Sequence, residues 1–280
     1  MLRLFSIKGF YYALGKKRFI EFIAFTIFLL FFFGPLMNMI MLAFSDEYQY
    51  PHLFPSALSL KWWQFVLSQD NLVSSMILSF VVAITTTLLS IIICVPAAYS
   101  FARFKFPFRR LFLFLFLLTN AFPKIGLYVT IGIIFYKLNL MGTFLGVIII
   151  HLINTMMYMT WIPAGSFKNV HRQQEEAARD IGASPFQTFM YVTLPMAMPG
   201  ILVASIFTFL ESLEEAQGTL LVGVPNYKTI PVVMYSVIFD YPATAGAVFA
   251  LILVIPTIIL LFILIKYFGT NVLAEGFKIK

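Results

Sequence analysis

Glu211, Glu214 and Glu215 stand at positions i, i+3 and i+4 of an otherwise apolar run, a spacing that puts all three on one face of a helix. Carboxylates in hydrocarbon are costly, so they meet a partner or face water. These three could line a water-filled cavity and attract a cationic solute, or sit where the helix emerges from the membrane. Lys124, beside Pro123 in another apolar run, could pair with one of them. Asn120, Asn154 and Thr155 are further polar candidates, each weaker because Asn and Thr also hold helices together. Lys124, Asn120, Asn154, Glu211, Glu214 and Glu215 make up a candidate translocation pathway.

Other chemistry is poorly served. In "GFYYALGKKR" Gly9 and Gly15-Lys16 lie near each other, but at the wrong spacing for a phosphate loop, and Lys17 stands where Ser or Thr must hold the metal. No nucleotide site is therefore expected on this chain. His52, His151 and His171 have no paired ligand spacing, so no metal site is expected. Neither G-x-S-x-G nor H-E-x-x-H occurs. The reading is of a chain with no catalytic residue and no cofactor of its own. A membrane enzyme is a remote alternative, and so is a channel, for which no filter-like motif or charge ring is visible.

The elements that hold these residues are membrane spans. Of 280 residues, 61% are hydrophobic and 11% charged, with 33 Phe and a mean hydropathy of +0.92. A soluble core of that composition would leave nothing polar for its surface. Apolar runs of about 20 residues match the bilayer, and runs of that length must be helical because lipid offers the backbone no hydrogen bonds. Six spans are expected, near 20–43, 72–102, 111–136, 144–164, 196–216 and 245–268, the third broken at Pro123-Lys124. The first run, 19–44, is too long for a signal-peptide core and reads as an uncleaved anchor. Cys94 is the only cysteine, so no disulfide forms within the chain.

Charge sets the expected orientation. The net charge of +7 does not point to nucleic acid, because Lys and Arg sit at the ends of apolar runs rather than on one face. With the N-terminus inside, 15 of the 19 basic residues fall on the cytoplasmic side, which places both termini and 165–195 in the cytoplasm. The expected organisation is a basic N-terminal segment (1–18), one transmembrane domain (19–268) and a short tail (269–280). Residues 45–71 and 217–243 are expected as outer loops, and "FYYALGKKRF" would suit the membrane surface.

One segment is unlike the rest. "EEAARDIGASPFQTFMYVTLP" (175–195) is charged and carries strong local signals. Good helix formers run from about Val170 to Ile181, and Gly182 is a natural left-handed stop. Ser184, Pro185 and Gln187 form a capping box with Pro at the first helical position, ahead of a second short helix over 186–191. Two short helices meeting at a sharp angle are expected. From capping alone, an amphipathic loop resting on headgroups remains an open reading.

Glu176-Ala177-Ala178, Gly182, Val192 and Leu194-Pro195, in that spacing, resemble the EAA loop of permease subunits of binding-protein-dependent ABC importers. Val192 stands where that pattern usually has Ile. "AAYSFARFKF" (97–106) and "LPMAMPG" (194–200) are similar to further segments of the same family, so the resemblance covers most of the chain. It implies an all-α membrane protein of the bacterial or archaeal cytoplasmic membrane, with a cytoplasmic coupling helix between spans 4 and 5. Glu175, Glu176, Ala177, Ala178, Asp180, Gly182, Ala183, Leu194 and Pro195 would then couple it to a separate ATPase. The implied partners are two ATP-binding subunits carrying ATP and magnesium, a second and homologous permease, and an external solute-binding protein that meets the outer loops. Within the family, "SLEEAQGTLLVGVPNYKTIPVVMYS" (212–236) looks more like the polyamine, phosphonate and ferric-ion branch. The alternative is a carbohydrate permease, for sugars or glycerol phosphate, which "AAYSFARFKF" and "QEEAA" also resemble.

Overall fold

The computed structural model describes residues 7–48, 52 and 54–276, and the side chains of most of these. The described residues are helical almost throughout, with one isolated antiparallel bridge between Ser45 and Leu58. The chain divides into two compact units, Met1–Val66 with Tyr241–Leu251, and Leu67–Asp240 with Ile252–Lys280.

The first unit is dominated by α1, Ile7–Ala43, which is broken at Gly15 so that Gly15–Ala43 is the membrane-length part. Its apolar residues point in every direction and stay exposed, Phe31 at 83%. A helix that is apolar all round belongs in lipid or against another apolar surface. Past α1, Trp62 on α2 (Lys61–Leu67) donates from Nε1 to the Asp46 carbonyl at 2.8 Å. The Phe65 and Tyr241 rings lie 4.9 Å apart.

In the second unit the core is three long helices, α3 (Asp70–Arg103), α6 (Phe144–Asn169) and α9 (Leu194–Glu214). Small and β-branched residues let them come close. Val95 and Ala98 of α3, Met159 and Phe167 of α6, and Ala197, Ile201 and Ala204 of α9 form one buried cluster. At Gly200 an added Cβ would stand 2.7 Å from the Ser166 Cβ of α6, so only hydrogen fits there. Thr143 caps α6, accepting from the Gly146 amide at 3.0 Å. Beside this core lie α4 (Arg109–Ala121), α5 (Lys124–Lys137), α10 (Gln217–Val222) and α11 (Ile230–Asp240), and α12 (Ala243–Gly276) closes the chain.

The expectation of six spans is not met. Four helices among the described residues are long and apolar enough to cross a membrane: Gly15–Ala43, Asn71–Arg103, Phe144–Asn169 and Pro185–Glu214. The third expected span is instead α4 and α5, bent by 104° at the Phe122-Pro123 break, and counts as a fifth only if the pair crosses as one. The physical cause is local, because Pro123 has no amide hydrogen and pushes Phe122 into an extended conformation. In α12 the apolar stretch within the described residues is Ala243–Ile259, shorter than a bilayer crossing. The placing of both termini in the cytoplasm was tied to six crossings and is not carried over to the four or five found here; residues 1–6 and 277–280 lie outside the described residues. The expected outer loop 217–243 is also largely helical, carrying α10 and α11. α12 continues through Gly276, into the segment expected as a tail.

The α6–α9 contact gives a direct test. Gly200→Val overpacks against Ser166, and should lower stability by roughly 1–3 kcal/mol. Gly165→Ala, where an added Cβ meets nothing within 4 Å, should leave it unchanged or slightly raised. Thermal unfolding of the two purified variants in one detergent checks the contrast.

Candidate functional site

Two groups of polar residues stand at opposite ends of α9. Leu194 and Glu211 are 17 residues apart, about 26 Å along a helix.

At the first end lies the charged segment. It folds as α7 (Arg172–Asp180), a turn, α8 (Pro185–Thr188) and a π-helical stretch, Phe189–Thr193, that runs straight into α9. Gly182 takes φ +97°, the left-handed region where a side chain is strained, and its amide donates to the Arg179 carbonyl at 2.9 Å. The Ala183 amide donates to the Ala178 carbonyl at 3.0 Å, completing the stop. The capping box forms: the Ser184 amide donates to Gln187 Oε1 at 2.8 Å, and the Gln187 amide to Ser184 Oγ at 3.3 Å. The second short helix is not a separate element over 186–191. Pro185 begins a helix continuous with the next span, and the angle falls at Gly182.

The two adjacent glutamates face opposite ways. Glu175 is buried, and its Oε1 accepts from Arg103 Nη2 at 2.8 Å and from Thr193 Oγ1 at 2.7 Å. Arg103 Nη2 also donates to the Val170 carbonyl at 2.9 Å. Glu176, Ala177, Asp180 and Gly182 are exposed, with Ala178 and Ala183 half-buried behind them. Ile181 and Phe186 project beside them at 88% and 72% exposure. Leu194 packs partly into the core while Pro195 stays exposed. Tyr99 of α3 sits under the segment, its ring 4.8 Å from Phe189 and 5.4 Å from Phe167. The segments 97–106 and 175–195, far apart in sequence, thus build one site.

At the other end, Lys124, the first residue of α5, meets Glu211 at 2.6 Å. Asn154 Nδ2 donates to the same Glu211 oxygen at 3.0 Å, and Asn120 Nδ2 donates to the Asn154 carbonyl at 3.3 Å. Four of the six pathway candidates therefore form one network. Glu214 is exposed and joins Lys124, Glu211, Glu215, Gln217 and Tyr235 around a cavity of about 270 Å³. Glu215 does not continue the helical face of Glu211 and Glu214, because α9 ends at Glu214 and Glu215 is extended. Its buried carboxylate caps α10, accepting from the Gly218 and Thr219 amides at 2.8 and 3.0 Å and from Thr219 Oγ1 at 3.1 Å. Buried His151 bridges Ser212 and Thr219, at 2.8 Å from each hydroxyl. Among the described residues no group of His, Cys, Asp and Glu is arranged to hold a metal ion.

Several of these residues escape sequence reasoning. Arg103 reads as one of four basic residues flanking a span, and nothing local distinguishes it from Lys105. His151 stands out in an apolar run, but its partners Ser212 and Thr219 lie on elements the sequence treats as a span end and a loop. Lys124→Met would leave the Glu211 carboxylate half-exposed with only Asn154. It should cost on the order of 1 kcal/mol, a value kept low by solvent screening, and Lys124→Met/Glu211→Gln should recover part of it. Unfolding of the two variants in detergent checks this non-additivity.

Comparisons with known proteins converge. A probable ABC transporter permease protein of Pyrococcus horikoshii is 34% identical over 131 residues, 47% of this chain and 48% of that protein, so this match spans about half of each. The sulfoquinovosyl glycerol transport system permease protein of Agrobacterium fabrum is 28% identical over 80% of both chains. The trehalose transport system permease protein of Mycobacterium tuberculosis is 28% identical over 75% of this chain and 79% of its own. The crystal structure of a bacterial ABC transporter involved in import of the acidic polysaccharide alginate shares the fold, at a TM-score of 0.71, 20% identity and coverage of 94% and 99%. The model of the binding-protein-dependent transport system inner membrane component matches residues 94–273, which contain both ends of the site. That family works in multi-subunit importers where ATP and magnesium belong to a separate ATPase. This chain is a transport subunit, not an enzyme, of the prokaryotic inner membrane, and it belongs to the family of inner-membrane permease components of binding-protein-dependent ABC importers.

Proposed function

We propose that α7 and the turn at Gly182 dock on the ATP-hydrolysing subunit, and that the Lys124–Glu211 cavity lines the path of a carbohydrate-type solute. A second, homologous permease completes the path, two ATPase subunits sit below it, and an external binding protein delivers the solute. The docking reading rests on one observation. Glu176, Ala177, Asp180, Ile181 and Phe186 are exposed on a segment whose other side is tied into the bundle. Small side chains at Ala177 and Ala178 allow close seating, Glu176 offers a charge to a basic partner, and Ile181 and Phe186 offer apolar anchors.

The solute class rests on the names of relatives and on charge. The polyamine expectation rests on the resemblance of 212–236 to that branch and on acidic residues that could line a cavity. Glu211 is neutralised by Lys124, and the Glu215 carboxylate is occupied by α10, which leaves Glu214 alone. A cavity with one unengaged carboxylate and several hydrogen-bonding groups offers a polyol its partners but a polycation only a single anchor. Two of the relatives above, each aligned over three quarters or more of this chain, carry names for trehalose and for a sugar glycerol conjugate.

The test is the reconstituted importer with its binding protein, assayed for ATP hydrolysis with trehalose, maltotriose, spermidine and 2-aminoethylphosphonate. Stimulation by a saccharide supports the reading, and stimulation by spermidine or the phosphonate alone overturns it. For docking, Gly182→Trp adds bulk where a Cβ meets nothing within 4 Å, so the chain still inserts. Left-handed strain there costs roughly 1–2 kcal/mol. Membrane levels should match wild type while transport and coupled ATPase are lost; normal activity would refute docking at this turn.

A further inference from the structure

We propose that the Arg103–Glu175 pair is a transmission tie, through which movement of α7 is passed to α3 and along it to the cavity at the far end. This rests on the docking reading of α7 and adds a route that α9 alone does not supply. The Glu175 Oε1 atom joins three elements: α7, which carries it; α3, through Arg103 at 2.8 Å; and the π-helical stretch, through Thr193 at 2.7 Å. The Arg103 and Glu175 side chains are 9% and 10% exposed, so water does not compete for either. Arg103 Nη2 also holds the Val170 carbonyl at the end of α6, and Arg172 of α7 reaches back to the Arg103 carbonyl at 3.5 Å. A push on the exposed face of α7 therefore reaches the end of α3 through buried, charge-assisted bonds.

The other end of α3 has its own fixed contact. Buried Ser79 Oγ accepts from the Ile230 amide, the first residue of α11, at 2.8 Å. That bond stands 24 residues from Arg103, about 36 Å along the helix. α11 carries Tyr235, which lines the cavity with Lys124, Glu211 and Glu214. The chain of contacts runs from α7 through Glu175–Arg103 along α3 to Ser79–Ile230, and so to the cavity wall. Arg103 and Glu175 are positioning residues in this scheme and need touch neither ATP nor solute. Spatial continuity alone does not establish coupling, so the test must read movement separately from stability.

The experiment uses the complete importer with spin labels at Ile77→Cys on α3 and Tyr136→Cys on α5, sites 61% and 78% exposed, while Cys94, the only native cysteine, is buried. Label distances are measured without nucleotide and after ATP–vanadate trapping, alongside the ATPase rate. In wild type the distance should shift by about 2 Å, the size of interface helix movements. Arg103→Met/Glu175→Leu removes both charges together, so no unpaired charge is left buried. It should keep its melting temperature within about 3 °C, yet lose the shift. Arg103→Lys, which keeps a charge for Glu175, should retain at least half of it. A full wild-type shift in the double variant overturns the tie, as does an absent shift in wild type. Gly182→Trp separates the two ideas. If it shifts like wild type, the docking reading fails and the tie with it. If it does not shift but the double variant does, docking stands and the tie alone is refuted.

Discussion

A charge that leaves water must find its partner inside the chain, and in a protein with so little polar surface that requirement fixes the architecture. Its internal charges settle into clusters at the two ends of α9. Near Leu194, Arg103 and Glu175 share a dry junction with Thr193 and Val170. Near Glu214, Lys124 meets Glu211, and Glu215 spends its carboxylate on the first amides of α10. Between them α3, α6 and α9 pack closely, mainly through apolar side chains with buried Thr86, Ser90, Thr160 and Thr208 among them, down to a glycine facing Ser166. The polar groups specify where the helices end and what meets them there, and the apolar stretch holds those ends at a fixed separation.

Local chemistry was legible in the sequence wherever the determining residues are neighbours. The Gly182 stop, the Ser184–Gln187 box and the Pro123 break all follow from a few adjacent residues, and each forms as expected. That Lys124 pairs with one of the three glutamates was legible as well, because a lysine in an apolar run has few possible partners, but which one was not. What stayed hidden depends on angles and on distant contacts. Run length alone counts six spans, but it does not register the 104° bend that divides the third. Glu175 and Glu176 are adjacent, and nothing local says which faces inward; Arg103, 72 residues away, decides it. The spacing of Glu211, Glu214 and Glu215 presupposes a helix that in fact stops at Glu214.

The same limit explains the change in solute class. Counting acidic residues gives a field attractive to cations, whereas tracing each carboxylate to its hydrogen-bond donors leaves Glu214 as the acidic group without such an internal role. Formal charge and available charge differ most where burial is deep, because there a carboxylate is retained only when donors already satisfy it. The cavity is better described by what remains to bind: an exposed carboxylate, the Gln217 amide and the Tyr235 ring beside a neutral ion pair. That inventory offers hydrogen bonds, a flat apolar face and a single unengaged carboxylate.

The Arg103–Glu175 pair also bears on why such a junction is ionic at all. Breaking a buried pair by removing one partner costs about 3–5 kcal/mol, yet replacing both with apolar groups is often neutral, so the pair adds little stability that Leu and Met could not. What apolar side chains lack is direction. They tolerate sliding and rotation at small cost, whereas a carboxylate oxygen held by Nη2 and Oγ1 at 2.8 and 2.7 Å does not. The π-helical stretch Phe189–Thr193 belongs to the same geometry: Thr193, its last residue, meets Glu175, and α9 continues beyond it without a break. A wide turn of this kind is less regular than the helix it joins and is common at functional sites. Here it carries the junction between the docking segment and the span, so this directional contact coincides with a wide helical turn.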